Sequence, residues 1–368
     1  STFGGKSNLV DFTNQFVARI HHRLKENPII AKQTDNGKIK VVHYKSENLI
    51  EPLVKDILSA ELRGSVCVLT YTNDEALQVS GLLLKNGMPA KLIQDNSGFC
   101  LLKLDEINFF LSRLHSVEDI FLIDDDVWNQ AKKELQTVFQ NSSKLESCLG
   151  LIRDFETINP KRRYKSDLEL FIRESKLNDF FGESGETIFV STIHKVKGKE
   201  FDHVFLMLNN FNLSSDERIR QLYVAMTRAR RELTIHLNSD FLDGLSSEAV
   251  EHIEDKNDYL PPEELAIHLT HSDIWLDYFI NRQPQIAQLR SGDTLYVRGD
   301  ECLDGNGQSV LKFSRNFMSE HYERLHRQGY ELKRAMVNFI VCWQSEKVAK
   351  EIKIILPELF FERKKISE

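Results

Sequence analysis

Cysteine is sparse and scattered in this 368-residue chain: Cys67, Cys100, Cys148, Cys302 and Cys342, with no CxxC pair among them. Such spacing argues against a zinc site and a disulfide framework and fits a reducing cytosol, so a cytoplasmic protein is expected. No apolar run approaches the roughly 20 residues of a membrane span, so no membrane partner is expected. The opening STFGGKSNLVDF lacks the basic start and apolar core of a signal peptide. Internal repeats and low-complexity tracts are absent as well. What is present, 41% hydrophobic and 28% charged residues, is the composition of a soluble globular protein. The length suggests about two to three domains.

A net charge of −7 argues on its face against a polyanionic partner. Placement matters more than the sum, however. Lys and Arg cluster in KRRYK at 161–165, KVKGK at 195–199 and RARR at 228–231, whereas acid gathers in IDDD at 123–126 and across 248–264. KRRYK combines charge with an aromatic that could stack on a base, or is simply a solvated basic face. IDDD lies in helical context, so a solvated face is favoured over a metal site, and no metal ligands are expected in this chain.

Hydrophobic spacing predicts a helix over 7–25, ended by Pro28, then an extended KIKVVHY (38–44) and a helix over 49–62. SVCVLTYT (65–72) reads as a buried strand, 75–87 as a helix closed by Gly87 with Asn73 as its cap, and AKLI (90–93) as another strand. Strand, helix, strand in that rhythm predicts an α/β domain, a parallel sheet with helices on both faces. From 103 to 183 the pattern is helical and polar, an insertion. The sheet resumes with TIFVSTI (187–193), DHVFLML (202–208) and ELTIHL (232–237), with a helix at 216–230 before the last. Residues 241–272 are acidic and turn-prone, which reads as a linker. IWLDYFI (274–280) suggests a helix, and 273–368 a small β-rich domain whose aromatics include Tyr296, Phe313, Phe339 and Trp343.

The richest stretch in chemistry is TIFVSTIHKVKGKEFDHVFL (187–206), where an apolar strand runs into a polar, basic loop and a second strand follows at once. In a parallel sheet the loop at a strand's C-terminal end lines the ligand crevice. Thr192, His194, Lys195, Lys197 and Gly198 would sit there, Gly198 admitting a phosphate close to the backbone. A solvated basic turn is the plain alternative. A second stretch is QLYVAMTRARREL (221–233), and a third is Thr70, Tyr71, Thr72 and Asn73 at the end of their strand. GGKSN holds Gly-Lys-Ser at 5–7, but a phosphate loop of the form GxxxxGK[ST] needs a buried strand before it, and none precedes these residues.

TIHKVKGKEFDHVFL resembles motif V of UvrD-type (superfamily 1) DNA helicases, apart from Lys199 where that family usually has Leu. YVAMTRA is similar to their motif VI. VCVLTYTNDEALQVSGLLLKNGMPAKLI (66–93) and the helix LLKLDEINFFLSRL (101–114) resemble the segments between, and KSNLVDFTNQF the family's Asn-Tyr-Arg-Ser segment. The similarity covers roughly 1–240, with an insertion shorter than usual.

The resemblance implies a RecA-like second motor domain at 1–102 and 184–240, a helical insertion at 103–183, the linker at 241–272 and an accessory domain at 273–368. It implies Thr192 and His194 at single-stranded DNA, with Lys195, Tyr71 and Thr72 as further DNA-binding candidates. Glu200 would lie at the nucleotide sugar, Gly198 at its phosphates, and Arg228 as the arginine that stabilises charge on the γ-phosphate. Phe3 takes the place of an adenine-stacking Tyr and Gly4 that of a phosphate-contacting Arg. ATP and Mg²⁺ would act in the intact protein, gripped by a missing N-terminal motor lobe, so this chain is not expected to hydrolyse ATP unaided. Single-stranded DNA, or a junction with duplex, is the implied partner. The alternatives are a non-catalytic DNA- or protein-docking module and, with less support, a nuclease.

Overall fold

The computed structural model describes residues 2–3, 5–18, 30–31, 35–92, 99–114, 122–175, 187–195, 199–243, 250–345 and 347–364. They form two compact units, one made of 1–95 with 185–265, the other of 96–184 with 266–368.

The first unit is built on strands β3 (Lys38–Tyr44), β4 (Val66–Thr70), β5 (Ala90–Leu92), β6 (Ile188–Thr192), β7 (Phe201–Leu208), β8 (Ala229–Leu237) and β9 (Val250–Asp255), in the order β5-β6-β4-β7-β8-β3-β9. The pairings across this sheet are parallel. A short pair, β1 (Thr2–Phe3) with β2 (Ile30–Ala31), lies apart from it. The α/β reading of the sequence therefore holds. Central strands sandwiched between helices bury both faces, and accordingly all of β4 is buried.

Successive crossovers first step from β3 over β4 to β5 through α2 (Ile50–Ser59) and α3 (Asn73–Lys85), and later step the other way from β7 to β8 through α8 (Asp216–Met226). Right-handed crossovers in opposite directions fall on opposite faces. Alternate residues show it. Ile39, Val41, Cys67, Leu69, Val204 and Leu206 pack with Leu9, Phe12 and Phe16 of α1 (Ser7–Val17) and with Leu222 and Met226 of α8. Val42 and Val68 face the other way, where Leu53, Val54 and Ile57 of α2 and Val79 and Leu83 of α3 are buried. One polar chain runs through this unit. The Tyr44 hydroxyl meets His236 Nδ1 at 2.8 Å, and His236 Nε2 stands 3.2 Å from Asp56, which also holds Lys40. Burial pushes the His236 imidazole below its ordinary value, toward the neutral form.

Two sequence expectations are corrected. Residues 241–272 do not read through as a linker, because β9 closes the sheet against β3, with Val250 opposite Ile39 and Ile253 opposite Val42. As an edge strand β9 needs only those apolar anchors and carries Glu251 and Glu254 on its exposed positions, so no apolar run announces it. The insertion and the C-terminal module, expected as separate domains, fall in one compact unit.

That second unit joins α4 (Asp105–Arg113), α5 (Asp125–Val138), α6 (Leu145–Ile158) and α7 (Lys165–Glu174) to a six-stranded sheet. Its strands are β10 (Glu264–His268), β11 (Thr294–Arg298), β12 (Glu301–Leu303), β13 (Ser309–Lys312), β14 (Tyr330–Ser345) and β15 (Lys350–Arg363), ordered β10-β15-β14-β11-β12-β13. Trp128 centres the helical core between Phe110 and Phe155. The Arg163 guanidinium lies 5.2 Å from the Trp128 ring and donates to Asp125, so part of KRRYK is spent on fixing α5. Asp124 to Asp126 open that same helix, where its dipole favours acid. The expected helix at 274–280 is a 3-10 turn, Leu276–Asn281. Phe313 and Phe339 are core, while Tyr296 stays 58% exposed.

A buried carboxyl sits where helices and sheet module meet. Ser142 Oγ donates to Glu106 Oε1 at 2.5 Å and Ser291 Oγ approaches the same oxygen at 3.3 Å, while Oε2 is buried without a partner. Beside it Ser143 N donates to Ser291 O at 2.7 Å, and Gly292, at φ +101°, leaves room that a Cβ would take from Ser143. Burial pushes the Glu106 carboxyl above its ordinary value of 4.5, with nearby Asp105 adding to the rise. A folded-state value above the unfolded one gives stability that is full below about 4.5 and lost as pH rises through the folded value. Glu106→Gln is expected to remove that decline in thermal stability between acid and neutral pH, measured as Tm against pH. A wild-type decline retained in the variant would assign it to other groups.

Candidate functional site

Parallel strands put all their C-terminal ends on one edge of the sheet and all their N-terminal ends on the other. The candidate residues divide between these edges.

At the C-terminal edge β4 runs into Tyr71 and Thr72, and β6 into Ile193, His194 and Lys195. Ile193 N donates to Thr70 O at 2.9 Å, which locks the two strand ends side by side. Tyr71 and His194 come together, their ring centroids 5.7 Å apart. Phe211, just past β7, meets Tyr71 edge-on at 5.1 Å and packs on Phe241 at 5.6 Å. Arg218, in the first turn of α8, sets its guanidinium 5.2 Å from the Tyr71 centroid and 5.9 Å from that of Phe211. Its position is fixed by Asn212, through both the side-chain oxygen and, at 3.3 Å, the carbonyl. His194 and Lys195 are exposed, and Tyr71 is half-buried. Thr192 is only 5% exposed and ends its strand inside the protein, so the outward part of this loop begins at His194.

Phe211 and Arg218 were not singled out in the sequence. The one signal for Phe211 is a lone aromatic in a polar turn after a buried strand. Thr72, a DNA-binding candidate, caps α3 instead. Its hydroxyl accepts from Glu75 N at 3.2 Å, and Glu75 Oε2 accepts from Thr72 N at 3.0 Å and Tyr71 N at 3.2 Å. Asn73, expected as the cap, is the first helical residue. Burial raises the Glu75 carboxyl despite these three hydrogen-bonding contacts.

At the N-terminal edge the connection from β6 returns to start β7. Phe201 N donates to Arg228 O at 2.8 Å, fixing the Arg228 backbone beside that start. The Arg228 guanidinium donates to Val224 O (2.9 Å), Lys199 O (3.2 Å) and Thr227 Oγ1 (3.4 Å). It is half-buried; burial lowers its pKa, and the neighbouring Glu200 carboxylate opposes that shift. Next along β8, Arg230 O accepts from Lys6 N at 3.2 Å, and Arg230 pairs with Asp202 at 3.0 Å. Asn8 of α1 brackets Gly37, accepting from its N at 2.7 Å and donating to its O at 2.8 Å. A Cβ on Gly37 would stand 2.2 Å from Arg231 O, so only glycine lets β3 enter here. Phe3 is placed by its backbone, paired with Ala31. Gly4, Lys197 and Gly198 lie outside the described residues.

Of the residues expected in one crevice, Thr192, His194 and Lys195 do follow the end of β6, whereas Glu200 and Arg228 stand at the other edge. Thr192 is level with Thr70, while His203 is level with Val66, which puts Phe201 near Gly64. The end of β6 at Thr192 and the start of β7 at Phe201 are therefore about 20 Å apart along the strand direction, six strand residues at ~3.3 Å each. Among the described residues of this connection, 193–195 and 199–200, none belongs to a helix or strand. His194 and Glu200 belong to one short connection yet end at opposite edges. Among the described residues no group of three or more His, Cys, Asp and Glu could hold a metal ion, and no helix is long and apolar enough to cross a membrane.

Comparison with known proteins bears on these same segments. Residues 118–240 match the UvrD-like helicase C-terminal domain, a span that includes α5–α7, β6, β7, α8 and β8. A stretch of 101 residues is 33% identical to the RecB subunit of the RecBCD enzyme from Chlamydia pneumoniae, covering 26% of this chain and 10% of that protein. The chain thus spans about a tenth of that relative's length. Among solved structures, the C-terminal domain of a possible DNA helicase from a Lactobacillus (strain WCFS1) is similar at 14% identity, over 68% of this chain and 98% of that one, with a TM-score of 0.35. An arterivirus helicase, nonstructural protein 10, is similar at 12% identity over 64% of each chain, with a TM-score of 0.16.

The cap assignment has a direct check. Thr72→Ala is expected to lower unfolding free energy by about 1 kcal/mol in urea melts, and Asn73→Ala to change it by less than about 0.5 kcal/mol. Equal effects would contradict the assignment.

Proposed function

We propose that this chain, whose residues 118–240 match the UvrD-like helicase C-terminal domain, carries the C-terminal portion of a UvrD-type helicase and supplies one wall of an ATP-driven motor on single-stranded DNA. The observation that carries the reading is the division of the sheet into an aromatic, basic edge and an arginine-rich edge joined by one strap.

At the C-terminal edge Tyr71 and His194 offer rings to unstacked bases, buried Phe211 backs Tyr71 from beneath, and Lys195 and Arg218 offer charge to the backbone between the bases. Stacking of this kind is tolerant of sequence, which suits a motor that must pass any base. At the N-terminal edge Arg228 contributes positive charge to the γ-phosphate and Glu200 accepts a hydrogen bond from the nucleotide sugar. ATP supplies the free energy for stepping. A missing N-terminal lobe supplies the grip on its phosphates and on Mg²⁺. The nuclease alternative has no cluster of metal-ligating acids among the described residues. A docking module, the other alternative, gains from one observation, the engagement of the Arg228 donors by backbone and hydroxyl oxygens.

Binding of a fluorescent oligonucleotide to the intact chain at several salt concentrations tests the reading. Salt-sensitive binding is expected. The double variant Tyr71→Ala/His194→Ala is expected to weaken it roughly tenfold or more, as loss of base–aromatic contacts does. Tight binding that the double variant leaves untouched moves the nucleic-acid site elsewhere. No binding at the lowest salt favours the docking module.

A further inference from the structure

Strands β7, β8 and β3 lie side by side and end level: Leu208 is opposite Leu237, and Leu237 is opposite His43. No hairpin can close such an end, because neighbouring parallel strands leave the sheet in the same direction. The backbone groups just beyond it need partners from side chains. Asn238, the first residue after β8, supplies them on both sides. Its Oδ1 accepts from Asn210 N at 2.7 Å, and its Nδ2 donates to Asn209 Oδ1 at 2.9 Å and Asn210 Oδ1 at 3.3 Å, in the turn after β7. The same Nδ2 reaches Ser46 O, past the end of β3, at 3.1 Å. An amide suits this position because it both accepts and donates, whereas a carboxylate only accepts.

The turn so held is a demanding one. Asn210 has φ +48°, in the left-handed region that residues other than glycine seldom occupy and that Asn tolerates better than most. The groups that face Tyr71 from this side hang on that turn. Phe211 meets Tyr71 edge-on at 5.1 Å. Asn212, next along, orients the Arg218 guanidinium, which lies 5.2 Å from the Tyr71 centroid. Asn238 therefore acts on Tyr71 at second hand, through Phe211 and through Asn212 with Arg218.

We infer that Asn238 is a positioning residue of the aromatic, basic edge, fixing the turn that seats Phe211 and Arg218 against Tyr71. That this edge receives single-stranded nucleic acid rests on the proposed function; the positioning role rests on the contacts of Asn238. A ring held in one orientation before a base arrives costs less ordering on binding. The amide thus bears on affinity without meeting the ligand.

Nitration of Tyr71 by tetranitromethane in the intact chain, located by peptide mass mapping, reads the cover on the ring without any ligand. Asn238→Ala is expected to raise its rate roughly fivefold, the equivalent of one hydrogen bond between neutral groups. Asn238→Asp keeps the acceptor for Asn210 N, loses the donors, and is expected to fall between Asn238→Ala and the wild type. Asn8→Ala removes the like bracket around Gly37 at the opposite edge of the same sheet. It is expected to leave Tyr71 at the wild-type rate, which separates positioning from a general loosening of the unit. Circular dichroism checks that each variant is folded; should Asn238→Ala fail to fold, Asn238→Asp alone decides. Wild-type rates in the Asn238 variants, or an equal rise in Asn8→Ala, overturn the inference. Oligonucleotide affinity is the second readout. Asn238→Ala is expected to weaken it roughly fivefold in the wild type and far less in the Tyr71→Ala background, as residues that act through one another do. Fully additive losses overturn the inference. A raised nitration rate in a chain that binds no oligonucleotide contradicts the nucleic-acid reading and leaves the positioning of Tyr71 standing.

Discussion

A parallel sheet cannot turn its chain around at the end of a strand; each connection has to travel back the length of the strand it left. Three connections do so as helices, α2, α3 and α8, whose apolar stripes cover the sheet. The connection from β6 to β7 has only the eight residues 193–200 in which to do so. That single requirement brings a short polar sequence across the sheet and places His194 and Glu200 at opposite edges. The separation of an aromatic edge from an arginine-rich edge follows from it, as does the contact between Arg228 and the strap.

Burial then sorts the charges. Arg228 is half withdrawn from water and oriented by three oxygen acceptors, which keeps its fork in one place without cancelling its charge. Arg218 is oriented by Asn212 in the same manner and covers Tyr71. By contrast Arg163 and Arg230 are paired with Asp125 and Asp202, so their positive charge serves the fold. A net charge of −7 is therefore compatible with a local surface that favours a polyanion, because the placement of charge matters more than its sum, and acid clusters at the β9 edge and at the start of α5.

The parallel sheet was legible because β4 and β7 are continuous apolar runs with polar residues immediately after them. The two stretches resembling helicase motifs V and VI were legible because they hold unusual residue types at fixed spacing, and both fall beside β7 and α8. What the sequence hid has physical causes. Strand β9 is an edge strand with two apolar anchors, below the threshold of any periodicity. Thr72 outcompetes Asn73 as cap because Glu75 stands three residues on and completes the reciprocal pair, a distinction that residue preference alone does not make. Phe211 and Arg218 come to Tyr71 from the far end of β7 and from α8, and no local pattern encodes a contact so distant in sequence. Among the contacts that join insertion and C-terminal module are those of Glu106 with Ser142 and Ser291, drawn from segments up to 185 positions apart, and the ion pair of Asp105 with Lys353.

The central claim is that nucleic acid meets the C-terminal edge of the first sheet and not its arginine-rich edge. Photocrosslinking with an oligonucleotide carrying 5-iodouracil, followed by peptide mapping, tests it most directly. The account predicts adducts on Tyr71 or His194. Adducts confined to the segment around Arg228–Arg231, or to the exposed Trp275 and Tyr296 of the second unit, would contradict it.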